Sequence, residues 1–174
     1  PSSKALAGAG IEMIDLPDRQ FRLKQALNVL APDYDYILID CPPSLELLTL
    51  NALCAADGVI IPMQCEYFAL EGLTDLVGSV RRVHSDKNAG LRIISILRVM
   101  FDPRITLQQQ VSEQLKKHFG DKVFNTIIPR NVRLAEAPSY GQPGVIYDRS
   151  SKGAKAYTAF ADELLERMEP KTGR

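Results

Sequence analysis

The 174 residues are 45% apolar and 24% charged, with 21 Lys/Arg balancing 21 Asp/Glu, the make-up of one globular domain of ordinary size. No apolar run approaches the roughly 18–20 residues a membrane helix needs, and the opening PSSKALAGAG has no basic region followed by an apolar one. Three cysteines, Cys41, Cys54 and Cys65, are spaced for neither a zinc knuckle nor a disulfide framework, so reduced and mostly buried thiols are expected.

In chain order, Arg19–Leu30 carries apolar residues at a helical spacing (Phe21, Leu23, Ala26, Leu27, Leu30). The short apolar run Tyr36–Ile39 reads as a strand that ends on Asp40 and then Cys41-Pro42-Pro43. A helix is predicted over Leu45–Ala56, a strand over Gly58–Met63 with Pro62 near its end, and a long helix over Ala69–His84. Leu91–Phe101 reads as a strand, and Leu107–Phe119 as a helix with Gly120 placed as its C-cap. Val123–Ile128 reads as a strand ended by Pro129. Residues 130–151, with Pro138, Gly141, Pro143 and Gly144, read as an extended loop, and Lys152–Met168 as a last helix. Strands alternating with helices require crossover connections, so the fold class is α/β: a three-layer, mainly parallel sheet flanked by helices, in a single domain over 1–174. Ligands of such sheets bind at the carboxyl ends of the strands. That rule selects Asp40–Pro43, Gln64–Glu66, Phe101–Arg104 and Pro129–Asn131.

Zero net charge hides an asymmetry. Residues 1–90 hold 7 Lys/Arg against 12 Asp/Glu, and residues 91–160 hold 11 against 5. A basic half suits a polyanion-facing side, although surface charge also clusters by chance. An apolar strand that ends in Asp is the Walker-B pattern, in which the acid holds magnesium, often through water. Alone the pattern is weak, because Asp also ends strands as a turn or cap residue. Pro42 and Pro43 stiffen the link to the next helix.

Four segments occur in order: YDYILIDCPPSLELLTLNAL, ADGVIIPMQCEYFALEGL, MFDPR and TIIPRNVRLAEAPSYGQPGVIYDRSSKGAKAY. Together they resemble ParA/Soj-type partition ATPases, deviant Walker P-loop proteins that segregate bacterial chromosomes and plasmids. The resemblance covers essentially the whole chain. It implies a P-loop NTPase-like fold, ATP and Mg2+ as cofactors, and Asp40 as the acid near the metal. It implies that Pro129, Arg130 and Asn131 face the purine, and that Arg104 and Arg133 contact DNA without sequence preference. Taken singly, either arginine is as readily a solvated surface residue or the ion-pair partner of an acid such as Asp102 or Glu136. The resemblance further implies a homodimer, a ParB-like centromere-binding partner, no membrane, and a bacterial cytoplasmic, nucleoid-associated setting. The exposed side of Ala69–His84 (Glu71, Asp75, Arg81, Arg82) is a candidate partner surface.

One departure is plain. No G-x-x-x-x-G-K-[ST] loop occurs in the sequence, and ALAGAGIEM is the sole small-residue stretch near its start. The first sheet strand and the P-loop of such a protein are therefore expected to be lacking, with little or no ATP hydrolysis by this chain alone. An incomplete copy and a natural P-loop-less relative both fit. Two other readings stay open: a MinD-like membrane-positioning ATPase, and a non-enzymatic DNA- or partner-binding module. The stripe Tyr157, Phe160, Ala161, Leu164, Leu165 and Met168 suits the membrane reading. The acids Asp162, Glu163, Glu166 and Glu169 beside Arg167 oppose it, and favour a helix packed on the sheet.

Overall fold

Helices and strands alternate along the chain much as the apolar spacing predicts. The computed structural model describes residues 6–168. Their contacts form two units, one from residues 6–59 and Leu76–Arg92, the other from Ile60–Asp75 and residues 93–168. The helices are α1 (Leu6–Glu12), α2 (Arg22–Leu30), α3 (Leu47–Ala55), α4 (Ala69–Asp86), α5 (Thr106–Phe119), α6 (Val132–Glu136), α7 (Gly144–Tyr147) and α8 (Lys152–Met168). The strands are β1 (Gly58–Gln64), β2 (Arg92–Phe101) and β3 (Val123–Pro129). No helix among the described residues is long and apolar enough to cross a membrane.

In the first unit, α2 packs against α3 around a buried amide. Asn51, 3% exposed, accepts the Leu23 amide at 3.1 Å and donates to the carbonyls of Arg19 and Leu47, each at 2.9 Å. Three bonds satisfy a group whose unpaired burial would be costly. Asn88 closes the far end of α3 by donating to Leu53 O at 3.0 Å and Ala56 O at 2.8 Å, carbonyls that a helix end leaves without intrahelical partners. Val77, Val80 and Val83 are buried along one side of α4, as their spacing predicts.

The strand expected at Tyr36–Ile39 is absent. The segment runs without strand pairing, with Tyr36 53%, Ile37 39% and Leu38 84% exposed. An apolar run makes a strand only where a neighbour completes its ladder, and no described strand pairs with this one.

The second unit holds the sheet, in the order β1-β2-β3, with β2 and β3 parallel and helices flanking the strands. Pro62 is tolerated because β1 is an edge strand of this sheet. α8 packs on β3. Leu97, Phe124 and Ile128 form a core joined by Ala156, Phe160 and Leu164. The Phe124 and half-buried Phe160 rings meet edge-on, 5.0 Å apart at 84°, and the fully buried Phe124 contributes about 2–3 kcal/mol. Phe160 and Leu164 of the α8 stripe are turned into the unit, while Tyr157, Ala161 and Leu165 of the same stripe are exposed. Glu169 lies outside the described residues.

Two bulges shape the paired strands. Ile96 pairs with Val123 but Arg98 with Ile127, so β3 carries extra residues at Phe124–Thr126. Arg98 then pairs with Ile127 and Phe101 with Pro129, so β2 carries one extra residue, and Met100 there takes a left-handed φ of 51°. Residues 130–151, expected as an extended loop, instead contain α6, α7 and a 3-10 turn at Ala137–Tyr140. Asn131 starts α6 by accepting the Leu134 amide at 3.2 Å, and Pro143 enters α7 in the extended conformation that suits an N-cap. Gly120, at φ 49°, ends α5 as predicted.

Candidate functional site

The carboxyl ends of all three strands fall in the second unit. β1 runs into Gln64-Cys65-Glu66-Tyr67-Phe68, which lines an open groove of about 770 Å³ with Ile105, Leu107 and Gln108 from the end of β2 and the start of α5. β2 runs into Phe101-Asp102-Pro103-Arg104. β3 ends at Pro129, and the Arg130 amide donates to Phe101 O at 3.2 Å, which ties the last two strand ends together. Cys65 at the groove is fully buried. Burial pushes its thiol up and the Arg98 charge works against that, so it rests as a neutral thiol.

Among the sequence-selected residues, Pro129, Arg130 and Asn131 lie together at the end of β3, and Arg104 lies beside them through the Phe101 link. Arg104 is the most exposed of the ion-paired arginines, at 88% of its side chain, yet Asp102 holds it by Nε at 2.9 Å and Nη2 at 2.7 Å. The side-chain and backbone bonds from Arg104, with further attraction from its charge and that of Arg130, hold the Asp102 carboxyl at about 2. Arg133 belongs to a separate cluster. It donates to Glu136 Oε2 at 2.9 Å, stands 3.6 Å from Asp148, and shares Glu136 with the Tyr147 hydroxyl at 3.4 Å. Both arginines therefore form the ion pairs that the sequence left open, with Asp102 and Glu136. Asp40 is exposed and belongs to the first unit.

Sequence spacing did not single out Arg98. It is 1% exposed in mid-strand and donates to Ser112 Oγ at 2.8 Å, Phe124 O at 2.7 Å and Asn125 O at 3.1 Å. It fills the β3 bulge from one side. Glu163 of α8 fills it from the other, accepting the amides of Asn125 and Thr126, each at 2.8 Å. Arg167 binds Glu163 at 2.8 Å, donates to Asp121 O and Val123 O, and lies 4.7 Å over the Phe124 ring. The bulge that leads to Pro129–Asn131 is thus held by opposite charges on its two sides. An arginine in the middle of an apolar strand was the available signal.

Magnesium held by phosphates and water needs one or two carboxylates, which Asp40 suits. Among the described residues, however, no three His, Cys, Asp or Glu side chains gather to hold a metal, and the sequence has no phosphate-wrapping loop. The residues present do not by themselves make an ATP–Mg2+ site.

A parallel sheet with crossover helices, its polar segments gathered at the strand ends, defines an α/β protein of the P-loop NTPase type. The chain matches the family model described as an AAA domain over residues 1–93. It is 50% identical over 174 residues to the chromosome partitioning protein ParA of Myxococcus xanthus, covering 100% of this chain and 62% of that protein. It is 53% identical over 164 residues to the sporulation initiation inhibitor protein Soj of Bacillus subtilis, covering 94% and 65%. The solved structure of cobyrinic acid a,c-diamide synthase from Mycobacterium smegmatis, with ATP analog and magnesium bound, superposes at a TM-score of 0.82 with 36% identity, over 100% of this chain and 64% of that one. The chain belongs to the ParA/Soj family. It spans less than two thirds of the length of these two partition relatives.

Proposed function

We propose that this chain is the sheet-and-switch part of a partition ATPase. In the whole protein, ATP and Mg2+ bind, two copies associate, and the dimer holds DNA without sequence preference to segregate a chromosome or plasmid with a ParB-like partner on the bacterial nucleoid. The observation that carries this reading is identity of about half, over nearly the whole chain, to proteins named for chromosome partitioning. In it, Asp40 stands near the metal, Pro129, Arg130 and Asn131 face the base, and Arg104 and Arg133 meet phosphate. Arginine suits that last task by its permanent charge and forked donors.

Turnover needs a phosphate-wrapping loop that this sequence does not contain, so the chain alone is expected to bind ATP weakly and not to hydrolyse it. Phosphate release by the purified chain with Mg-ATP tests this. Turnover at the rate of a full-length relative sinks the claim. Salt-dependent DNA retardation, lost on combining Arg104→Ala with Arg133→Ala, tests the DNA surface, and unchanged retardation removes both residues from it. A second reading, a DNA-binding module without catalysis, is favoured by one feature: the arginine-bearing strand ends lie within the second unit, which does not include Asp40.

A further inference from the structure

We propose that Asp102 is a built-in counter-charge that sets how strongly the Arg104–Arg130 corner holds a nucleic-acid backbone. This rests on the DNA-binding reading above and names the residue that tunes that surface.

The geometry is built, not incidental. The left-handed residue Met100 bulges β2 two positions before Asp102 and turns the chain out of the sheet. Gln108, 8% exposed, accepts the Asp102 amide at 2.7 Å and so anchors the loop in α5. The Gln109 side chain donates to the Pro103 carbonyl and pins the next residue. Asp102 is left with an 18% exposed side chain, and its Oδ1 accepts the Arg104 amide at 3.0 Å. Nε and Nη2 of Arg104 then lie against the two carboxylate oxygens, a bidentate pair of the stronger kind. Arg104 reaches far into solvent while its charge is already matched.

That matching has a chemical consequence. A cation binds a polyanion tightly at low salt because the polyanion's condensed counterions are released. An arginine that carries its own carboxylate releases fewer, and a phosphate that approaches it is repelled by the acid behind. Arg130, its amide tied to the Phe101 carbonyl, supplies the second positive charge of this corner and attracts Asp102 more weakly than Arg104 does. The corner thus holds two cations and one fixed anion, a setting that favours weak and reversible contact with a backbone.

Asp102→Asn keeps the shape and one oxygen acceptor but removes the charge. It is expected to steepen the dependence of log K on log salt by about one phosphate contact, and to tighten binding to a random-sequence duplex roughly five- to tenfold at 0.1 M salt. Arg104→Ala is expected to cost more in the Asp102→Asn background than in the native one, because only there is the arginine available. An unchanged salt slope, or an equal cost of Arg104→Ala in both backgrounds, overturns the proposal.

A second readout needs no DNA. Phenylglyoxal modification of Arg104, followed by mass spectrometry, is expected to be several-fold faster in Asp102→Asn, and equal rates overturn the counter-charge. If no variant retards DNA even at 20 mM salt, the DNA reading fails and, with it, the nucleic-acid role of this corner. The modification rates then still decide whether Asp102 masks the arginine.

Discussion

Replacing Glu163 by Gln tests how β3 is held. The carboxylate accepts two backbone amides of the bulge and one arginine. Burial pushes its carboxyl up, but the amides of Thr126 and Asn125, the Thr126 side chain and Arg167 outweigh that and leave it at about 2, against an ordinary 4.5. By linkage, a carboxyl so held stabilises the fold at neutral pH by about 3 kcal/mol. A count of bonds agrees. Gln keeps one acceptor oxygen and turns an NH2 group toward the other amide, and a donor without an acceptor costs about 1–3 kcal/mol.

The sign follows from the lowered value. The contribution is fully present above pH 4.5 and is lost as pH falls through about 2. Urea unfolding at pH 7 is therefore expected to show Glu163→Gln destabilised by about 2–3 kcal/mol, with a melting temperature lower by roughly 5–10 °C. At pH 3 the gap to the native chain should shrink to about half. The exposed neighbour Glu166→Gln serves as control and should lie within about 0.5 kcal/mol of native. A midpoint for Glu163→Gln indistinguishable from that control, or an equal gap at both pH values, refutes the reasoning.

Three further outcomes follow from the packing. Arg98→Met leaves the carbonyls of Phe124 and Asn125 and the Ser112 hydroxyl without their buried donor, and should cost about 2–4 kcal/mol by urea titration. Asn51→Ala removes three bonds, one to α2 at Leu23, one to Arg19 just before it and one within α3 to Leu47, so faster hydrogen exchange is expected at the Leu23 amide, with a loss of about 2–3 kcal/mol. In Gly153→Ala, a methyl would stand 2.6 Å from Leu134 Cδ1 and 3.0 Å from Asn131 Cγ, so Leu134 and the α6 cap must shift, at about 1–3 kcal/mol. Chemical-shift changes confined to residues 131–134 and the start of α8 would locate that strain.

Much of this was legible in the residues. β1, β2 and β3 read correctly because each apolar run is bounded by turn or Pro signals, and α4, α5 and α8 because their stripes repeat over three or more turns. Tyr36–Ile39 carries the same local signal as those strands and is unpaired, because pairing depends on a neighbour and not on the run itself. The bulges were invisible for a related reason: register is a relation between two strands. Nothing in the spacing marked Arg98, because the extra residues in β3 that open backbone carbonyls to it belong to another strand. At the candidate site, the pairings of Arg104 with Asp102 and of Arg133 with Glu136 were visible as short-range spacings. The tie between the ends of β2 and β3 was not, since it joins residues far apart in the chain.

The rail that Glu163 and Arg167 lay along β3 bears on growth as well as stability. A polypeptide that adds itself to a sheet needs a row of unclaimed amides and carbonyls, and at the entry to β3 and along its first half the carbonyls of Asp121 and Val123 and the amides of Asn125 and Thr126 are already taken by side chains. The sheet is thereby polarised across its width. Recruitment of a further strand is disfavoured at β3 and directed to the outer edge of β1, so α8 serves as a stopper that decides from which side this sheet can be extended.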